Sequence, residues 1–132
     1  TLFRKGISMS GHNILQQLAS EPEAVIVDPG NGGTIPIDRT LGVCNLVSDG
    51  SQTRVIASPE HSGIILTLAG KTVGGTITIT TAGTETVRDG ANNHNTIAID
   101  GAGDVVMLIS VENGSDYMWA KIVNNGATIS TT

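Results

Sequence analysis

Residues 96–130, TIAIDGAGDVVMLISVENGSDYMWAKIVNNGATIS, set three β patterns in succession, joined by turns too short to hold any other element. Within 104–111, Val105, Met107, Ile109 and Val111 share one face at period two, while Val106 and Leu108 make the opposite face apolar as well. The pattern predicts a strand covered on both sides. The segment 112–116 carries Asn113-Gly114, a pair that accepts positive φ and favours a tight reversal, so 117–123 is expected to run back as the second arm of a hairpin. No residue in this stretch is arranged for a reaction, and its residues alone describe a rigid β module.

The composition extends that reading to the whole chain. Ile and Val together number 26 and Thr 16, whereas Phe3, Tyr117 and Trp119 are the only aromatics in 132 residues. β-branched side chains suit a pleated, half-buried surface, so an all-β domain with a thin aliphatic core is expected. A chain of this length supports one core. With so few large side chains, added burial against another subunit is a natural way to complete its stability.

Two regions are expected: an N-terminal arm over residues 1–23 and a β domain over 24–132. In the arm, Ser10 can cap a short helix in which Ile14, Leu15, Leu18 and Ala19 form one apolar stripe ending before Pro22. Two to three helical turns are not stable alone in water, so the stripe must dock on the body or on a neighbouring chain. Residues 1–9 have no helical period and carry Phe3 and Ile7 among polar residues, which suits an extended arm held by something else.

From Ala24 onward, short β patterns alternate with turn clusters. Asp28-Pro29-Gly30-Asn31-Gly32-Gly33 supplies both fixed and positive φ. Pro36 removes a ladder donor and marks an edge strand or a strand end. Residues 41–47, 53–57 and 64–68 are candidate strands, and Thr76-Ile77-Thr78-Ile79-Thr80-Thr81 alternates with Ile inward and Thr outward. About nine or ten short strands at this spacing predict a single sandwich or barrel-like domain. No strict repeat is evident.

A formal net charge of −5, with Arg4-Lys5 the only basic pair, lacks the clustered positive charge that phosphate recognition needs. Nucleic acid is therefore not an expected partner. The first residues lack the apolar run of a signal peptide and no stretch approaches the length that spans a bilayer, so a soluble protein folding in a cytoplasm is expected. Cys44 stands in an apolar strand pattern and reads as a small core residue.

Candidate chemical groups are sparse. His12, His61 and His94 are isolated from one another and lack zinc-ligand spacing. Gly70-Lys71-Thr72 is not a phosphate-binding loop, because Ile65 stands where that pattern needs Gly and a β pattern follows. Glu60-His61-Ser62 sets an acid, a base and a hydroxyl side by side without an elbow around Ser62, and sequence adjacency does not aim a nucleophile at its base. Asp100-Gly101-Ala102-Gly103-Asp104 offers two carboxylates that could meet a calcium ion, although a plain hairpin turn is the favoured reading. Trp119 reads either as the large plug of the core beside Tyr117 or as a surface group awaiting a partner or a sugar, and a place in the core or at a subunit interface is the favoured reading. No cofactor, metal or catalytic residue is assigned. An enzymatic site assembled from the loops around His61 and His94 is the weakest of the alternatives, and a pocket joining both to a carboxylate would be its sign.

Gly103-Asp104 with the apolar strand after it, Tyr117-Met118-Trp119-Ala120-Lys121-Ile122-Val123, and the following Asn124-Asn125-Gly126-Ala127-Thr128 together resemble the ending of small structural proteins of tailed phages. The likeness covers about a quarter of the chain and brings no catalytic residue. It implies a virion component on the capsid exterior, a decoration or cement protein that contacts the major capsid protein and forms a homotrimer. A fibre or tail module that binds a host glycan or receptor is the alternative. On this reading Phe3, Ile7, Ile14, Leu15, Leu18 and Trp119 are the candidate interface residues.

Overall fold

The computed structural model describes residues 24–82 and 86–132. They form twelve strands in two sheets and no helix. The helix expected over residues 10–19 lies outside the described residues, as do Phe3, Ile7 and His12.

The first six strands follow one rule. They are β1 (Val25–Ile26), β2 (Gly33–Ile35), β3 (Leu41–Ser48), β4 (Gln52–Ile56), β5 (Ile65–Val73) and β6 (Ile77–Thr81), and successive strands alternate between the two sheets. The odd-numbered strands pair in parallel in one layer and the even-numbered strands in the other. The chain is thus wound as a flattened coil. Val25 lies beside Val43 and Val43 beside Thr67, offsets of 18 and 24 residues, while Gly33 lies beside Arg54 and Arg54 beside Ile79, offsets of 21 and 25.

The remaining strands close the coil. They are β7 (Val87–Asp89), β8 (Asn92–His94), β9 (Thr96–Ile99), β10 (Val105–Asn113), β11 (Asp116–Asn125) and β12 (Thr128–Ser130). β9 joins the second layer antiparallel to β6, and β10 joins the first antiparallel to β5. The finished layers are a seven-stranded sheet in the order β1-β3-β5-β10-β11-β7-β8 and a five-stranded sheet in the order β12-β9-β6-β4-β2.

The core lies between the layers and is aliphatic apart from Cys44 and Trp119. Cys44, Leu46, Leu66, Leu68, Val106 and Leu108 come from the first sheet and Ile35, Ile56, Ile77, Ile79, Ile97 and Ile99 from the second, all at most 1% exposed. The inward Ile phase expected for 76–81 is therefore present. Trp119 is fully buried in the same cluster, which settles its position as core. β2 is an edge strand and Pro36 follows directly after it, so its missing donor interrupts no ladder.

Two expected connections fare differently. The β10–β11 hairpin is present, with Asn113 opposite Asp116 and Gly114 at φ 64°, a conformation open to glycine without strain. Residues 100–104 do not form the hairpin turn favoured from sequence. β9 and β10 belong to opposite layers, so this turn is a corner between sheets. The Asp104 carboxylate shapes it by accepting bonds from the Asp100 and Gly101 amides, each at 3.0 Å.

Corners stack as the strands do. The Gly74 amide donates to Ser48 O at 3.0 Å and the Gln52 amide to Thr76 O at 3.0 Å, so the turn at 49–51 lies against the turn at 74–76. A Cβ at Gly74 would come within 2.6 Å of the Asp49 backbone, which makes glycine necessary for that approach.

One charged pair lies inside this architecture. Arg54 alternates in phase with Ile56 and points inward, its side chain fully buried. Its Nε and Nη2 donate to the two Asp28 oxygens at 2.7 and 3.1 Å, and its remaining bonds go to Thr53 O and Val47 O. Asp28 also accepts from the amides of Gly30 and Val47. Partial burial alone would raise the Asp28 carboxyl, but the hydrogen bonds from Arg54, Val47 and Gly30 and the guanidinium charge outweigh it and hold the pKa below its ordinary 3.8.

Because that pKa is lower in the folded chain, the pair's contribution is complete above the ordinary value and is lost as pH falls through the folded one. Asp28→Asn should destabilise the protein by about 3 kcal/mol at pH 7, since it leaves a buried guanidinium without its counter-charge. The gap in denaturation midpoint between the variant and the parent should narrow on acidification below 3.8.

Candidate interaction surface

The candidate chemical groups do not converge. His61 Nδ1 lies 2.9 Å from Ser62 O in the loop between β4 and β5, whereas His94 Nδ1 lies 2.9 Å from Thr131 Oγ1, beside the C-terminal residues. A shallow cavity of about 220 Å³ is lined by Asp38, Arg39, Glu60 and His61 with Ile37, Thr40 and Ile64, and it does not include His94. In that cavity Asp38 is engaged by Arg39 at 2.8 Å, and the Arg39 hydrogen bond is the main reason its carboxyl sits below the ordinary value. Among the described residues no group of three His, Cys, Asp or Glu side chains could hold a metal ion. Asp100 accepts from Thr76 Oγ1 at 3.0 Å, while one oxygen of Asp104 takes the two corner amides, so the two carboxylates serve separate partners.

Cys44 is fully buried in β3. Burial, with the Asp28 charge adding to it and Arg54 opposing, pushes its thiol up to about 11. At neutral pH this thiol stays protonated and inert.

Ser110, like Arg54, is a buried polar residue that the sequence reading passed over. It stands in β10 in phase with Val106 and Leu108, so its side chain is buried on the inner face. Its hydroxyl donates to His61 O at 2.7 Å and accepts from the Ile64 amide at 2.8 Å. Backbone bonds from Gly63 N to Ser110 O and from Ser110 N to Ile64 O frame the same contact. The loop at 57–64 is thereby fastened to β10 across 46 residues of sequence. The detectable signal was phase: a serine on the apolar inner face of a strand needs partners, and only a neighbouring loop can supply them.

The feature that most distinguishes the molecule is the outer face of the seven-stranded sheet. In register across β1, β3, β5, β10 and β11 stand Val25, Val43, Thr67, Met107 and Val123. A second row contains Leu41, Ile65, Ile109 and Ala120, and a third brings Ala69 and Val105 between Asn45 and Asn125. The central members are half-buried by one another, while both flanks are open: Val25 41%, Leu41 55% and Val47 46% exposed on one side, Ile122 44% and Val123 47% on the other. β10 was expected to be covered on both faces. Its inner-face residues are buried, and its outer-face residues Val105, Met107, Ile109 and Val111 are half-buried.

Five strands span about 19 Å and three rows about 14 Å, so the apolar face measures on the order of 300 Å². That is the size of the largest apolar patch on an ordinary monomer, a patch that commonly serves an interface, and it falls short of the ~800 Å² per partner of a standard complex. It can form the apolar centre of a larger contact with a polar rim. Ile122 is the extra residue of a β-bulge, since Met107 pairs with Val123 and Leu108 with Lys121, and it adds an exposed aliphatic side chain at this flank.

Comparison with protein-family models and with characterised proteins finds no match for the chain.

Ser110→Ala should lower stability by about 1–3 kcal/mol, because the Ile64 amide loses a buried acceptor. Urea unfolding measures this, and limited proteolysis should show cleavage moving into 57–64. Millimolar calcium should leave the thermal midpoint of the parent unchanged, as Asp104 is already engaged by its own corner.

Proposed function

We propose that the protein is a non-enzymatic structural subunit of a virion, a decoration protein that stabilises a tailed-phage capsid by bridging capsid subunits. The observation that carries this reading is the apolar outer face on β10 and β11, where Met107, Ile122 and Val123 stand on a sheet backed by a continuous core. The phage-like ending falls on the same elements: its apolar strand is β10, its Trp strand is β11, and its Asn-Gly-Ala-Thr tail leads into β12. The part of the chain that resembles a virion protein is thus the part that offers a surface to a neighbour.

Such a subunit acts by fit. Partner binding stabilises whichever state makes the contact, so a module seated across two capsid subunits couples the opening of one to the release of the other. A stiff body suits this task, because a contact made through a flexible one would lose part of its free energy to ordering. Homotrimeric assembly belongs to the same proposal. The fibre-tip alternative needs an exposed aromatic platform for a sugar, and Trp119 is buried.

Binding to purified empty heads of the phage that encodes the chain tests this function. Ile122→Asp combined with Val123→Asp replaces two exposed aliphatic side chains, so the variant should fold normally and lose at least tenfold in affinity for heads. Hundreds of copies per particle on the head are expected by band intensity. A few copies at the tail would replace this assignment with the fibre reading, and substrate turnover would end both.

A further inference from the structure

Three Asn-Gly pairs stand in the chain, at 31–32, 113–114 and 125–126, and the fold treats them differently. Asn113 ends β10 and Gly114 begins the reversal into β11. Both are exposed, and among the described residues neither the Asn113 carboxamide nor the Gly114 amide makes a hydrogen bond. We propose that Asn113 is a self-modifying site, at which the Gly114 nitrogen closes on the Asn113 carboxamide and converts it to aspartate and isoaspartate without an enzyme.

Hydroxide removes the Gly114 amide proton, and the electron pair left on nitrogen attacks Asn113 Cγ. The bond from nitrogen to Cγ forms, the bond from Cγ to Nδ2 breaks, and Nδ2 leaves as ammonia after taking a proton from water. Water then opens the five-membered imide. Breaking the bond from nitrogen to Cγ leaves aspartate, whereas breaking the bond from nitrogen to the Asn113 backbone carbonyl leaves isoaspartate, with the chain rerouted through Cβ and Cγ. Nothing is oxidised or reduced, and the sum is one water consumed for one ammonia released. Glycine suits the step, because a side chain on the attacking residue would crowd the ring. What remains is freedom to reach the attack geometry. β5 flanks β10 only as far as Ile109 and β7 flanks β11 only at Trp119 and Ala120, so residues 112–116 are exposed and lie beyond the paired reach of both neighbours. A tip with so few buried contacts opens locally at low cost.

The other two pairs are restrained. Thr53 holds both reacting groups of the first: its amide donates to Asn31 Oδ1 at 3.0 Å, and its carbonyl accepts from the Gly32 amide at 2.8 Å. At the third, the Asn124 carboxamide bridges the Ala127 amide and carbonyl at 3.1 and 2.9 Å and pins the turn. Gly126 also lies against the Asp104 carboxylate, whose charge disfavours the amide anion that attack requires. Glu112 and Asp116, beside Asn113, are exposed, where water and salt screen them. Conversion at 113 adds one negative charge to a formal net charge of −5. Isoaspartate also lengthens the backbone where Asn113 faces Asp116, so the outermost rung of the ribbon should open while Trp119 stays opposite Ser110. The inference stands apart from the capsid reading and requires no partner.

Ageing the full chain at mildly alkaline pH tests it, with conversion at each asparagine followed by peptide mass spectrometry and isoaspartate told from aspartate by electron-transfer fragmentation. In the folded protein Asn113 should convert fastest, about tenfold or more ahead of Asn31, and in urea the three pairs should differ by no more than a few-fold as their restraints are lost. If Asn31 or Asn125 keeps pace with Asn113 in the folded protein, the inference is overturned. It is equally overturned if Asn113 reacts in urea but not in the native state, or if its lead survives in urea and so belongs to the flanking residues. A second measurement reads charge. On isoelectric focusing the parent should gain a more acidic band with age, and Asn113→Ser should not. The same band growing at the same rate in that variant would place the reaction at another residue and refute the site.

Discussion

A guanidinium buried between two sheets sets the terms for the first half of this fold. Arg54 belongs to the five-stranded layer, yet its bonds reach Asp28 in the turn after β1 and Val47 in β3 of the other layer. It therefore ties one coil to the next and one sheet to its partner at a single point. Aliphatic packing between the layers is non-directional and would tolerate a slide of one sheet over the other. The bidentate geometry would not, because a displaced partner leaves a charge without water or counter-ion. The pair thus contributes position as well as energy.

The same division of labour appears at other points around the core. Ser110 fastens the 57–64 loop to β10, and Asp104 fixes the corner through which the chain crosses into β10. In each case a polar side chain is engaged by the backbone of a neighbouring segment. These side chains hold shape, and what they hold is a sheet whose outer face is apolar from one edge strand to the bulge in β11. The functional proposal follows from that order of dependence: polar groups maintain the form, and the form presents the surface.

Much of the fold was legible in the residues. The Ile and Thr alternation gave the inward phase of β6, Asn113-Gly114 gave the one true hairpin of the C-terminal third, and Pro36 marked an edge. The coil was not legible. Parallel partners lie 18 to 25 residues apart, with no side-chain motif repeated at that distance, because all a coil requires at each layer is another short aliphatic strand. The corner at 100–104 was read as a hairpin because Asp and Gly serve both kinds of turn. What separates them is which layer the next strand joins, a tertiary fact. Arg54 was overlooked although its period-two relation to Ile56 placed it inward. The apolar outer face was half legible: β10 showed two apolar faces, but which one faced the core depended on the strands beside it.

The winding of β1 to β6 also bears on how the chain reaches this shape. A strand in the coil cannot pair with its parallel neighbour until an intervening strand has crossed the opposite layer, so each such pairing closes a loop of about twenty residues. The β10–β11 ribbon needs only a two-residue reversal, and formation of such ribbons takes microseconds. The β10–β11 ribbon is therefore the cheapest piece to assemble. Once formed, it offers β5 a ready template, and the earlier windings can consolidate from the rear of the chain toward its front.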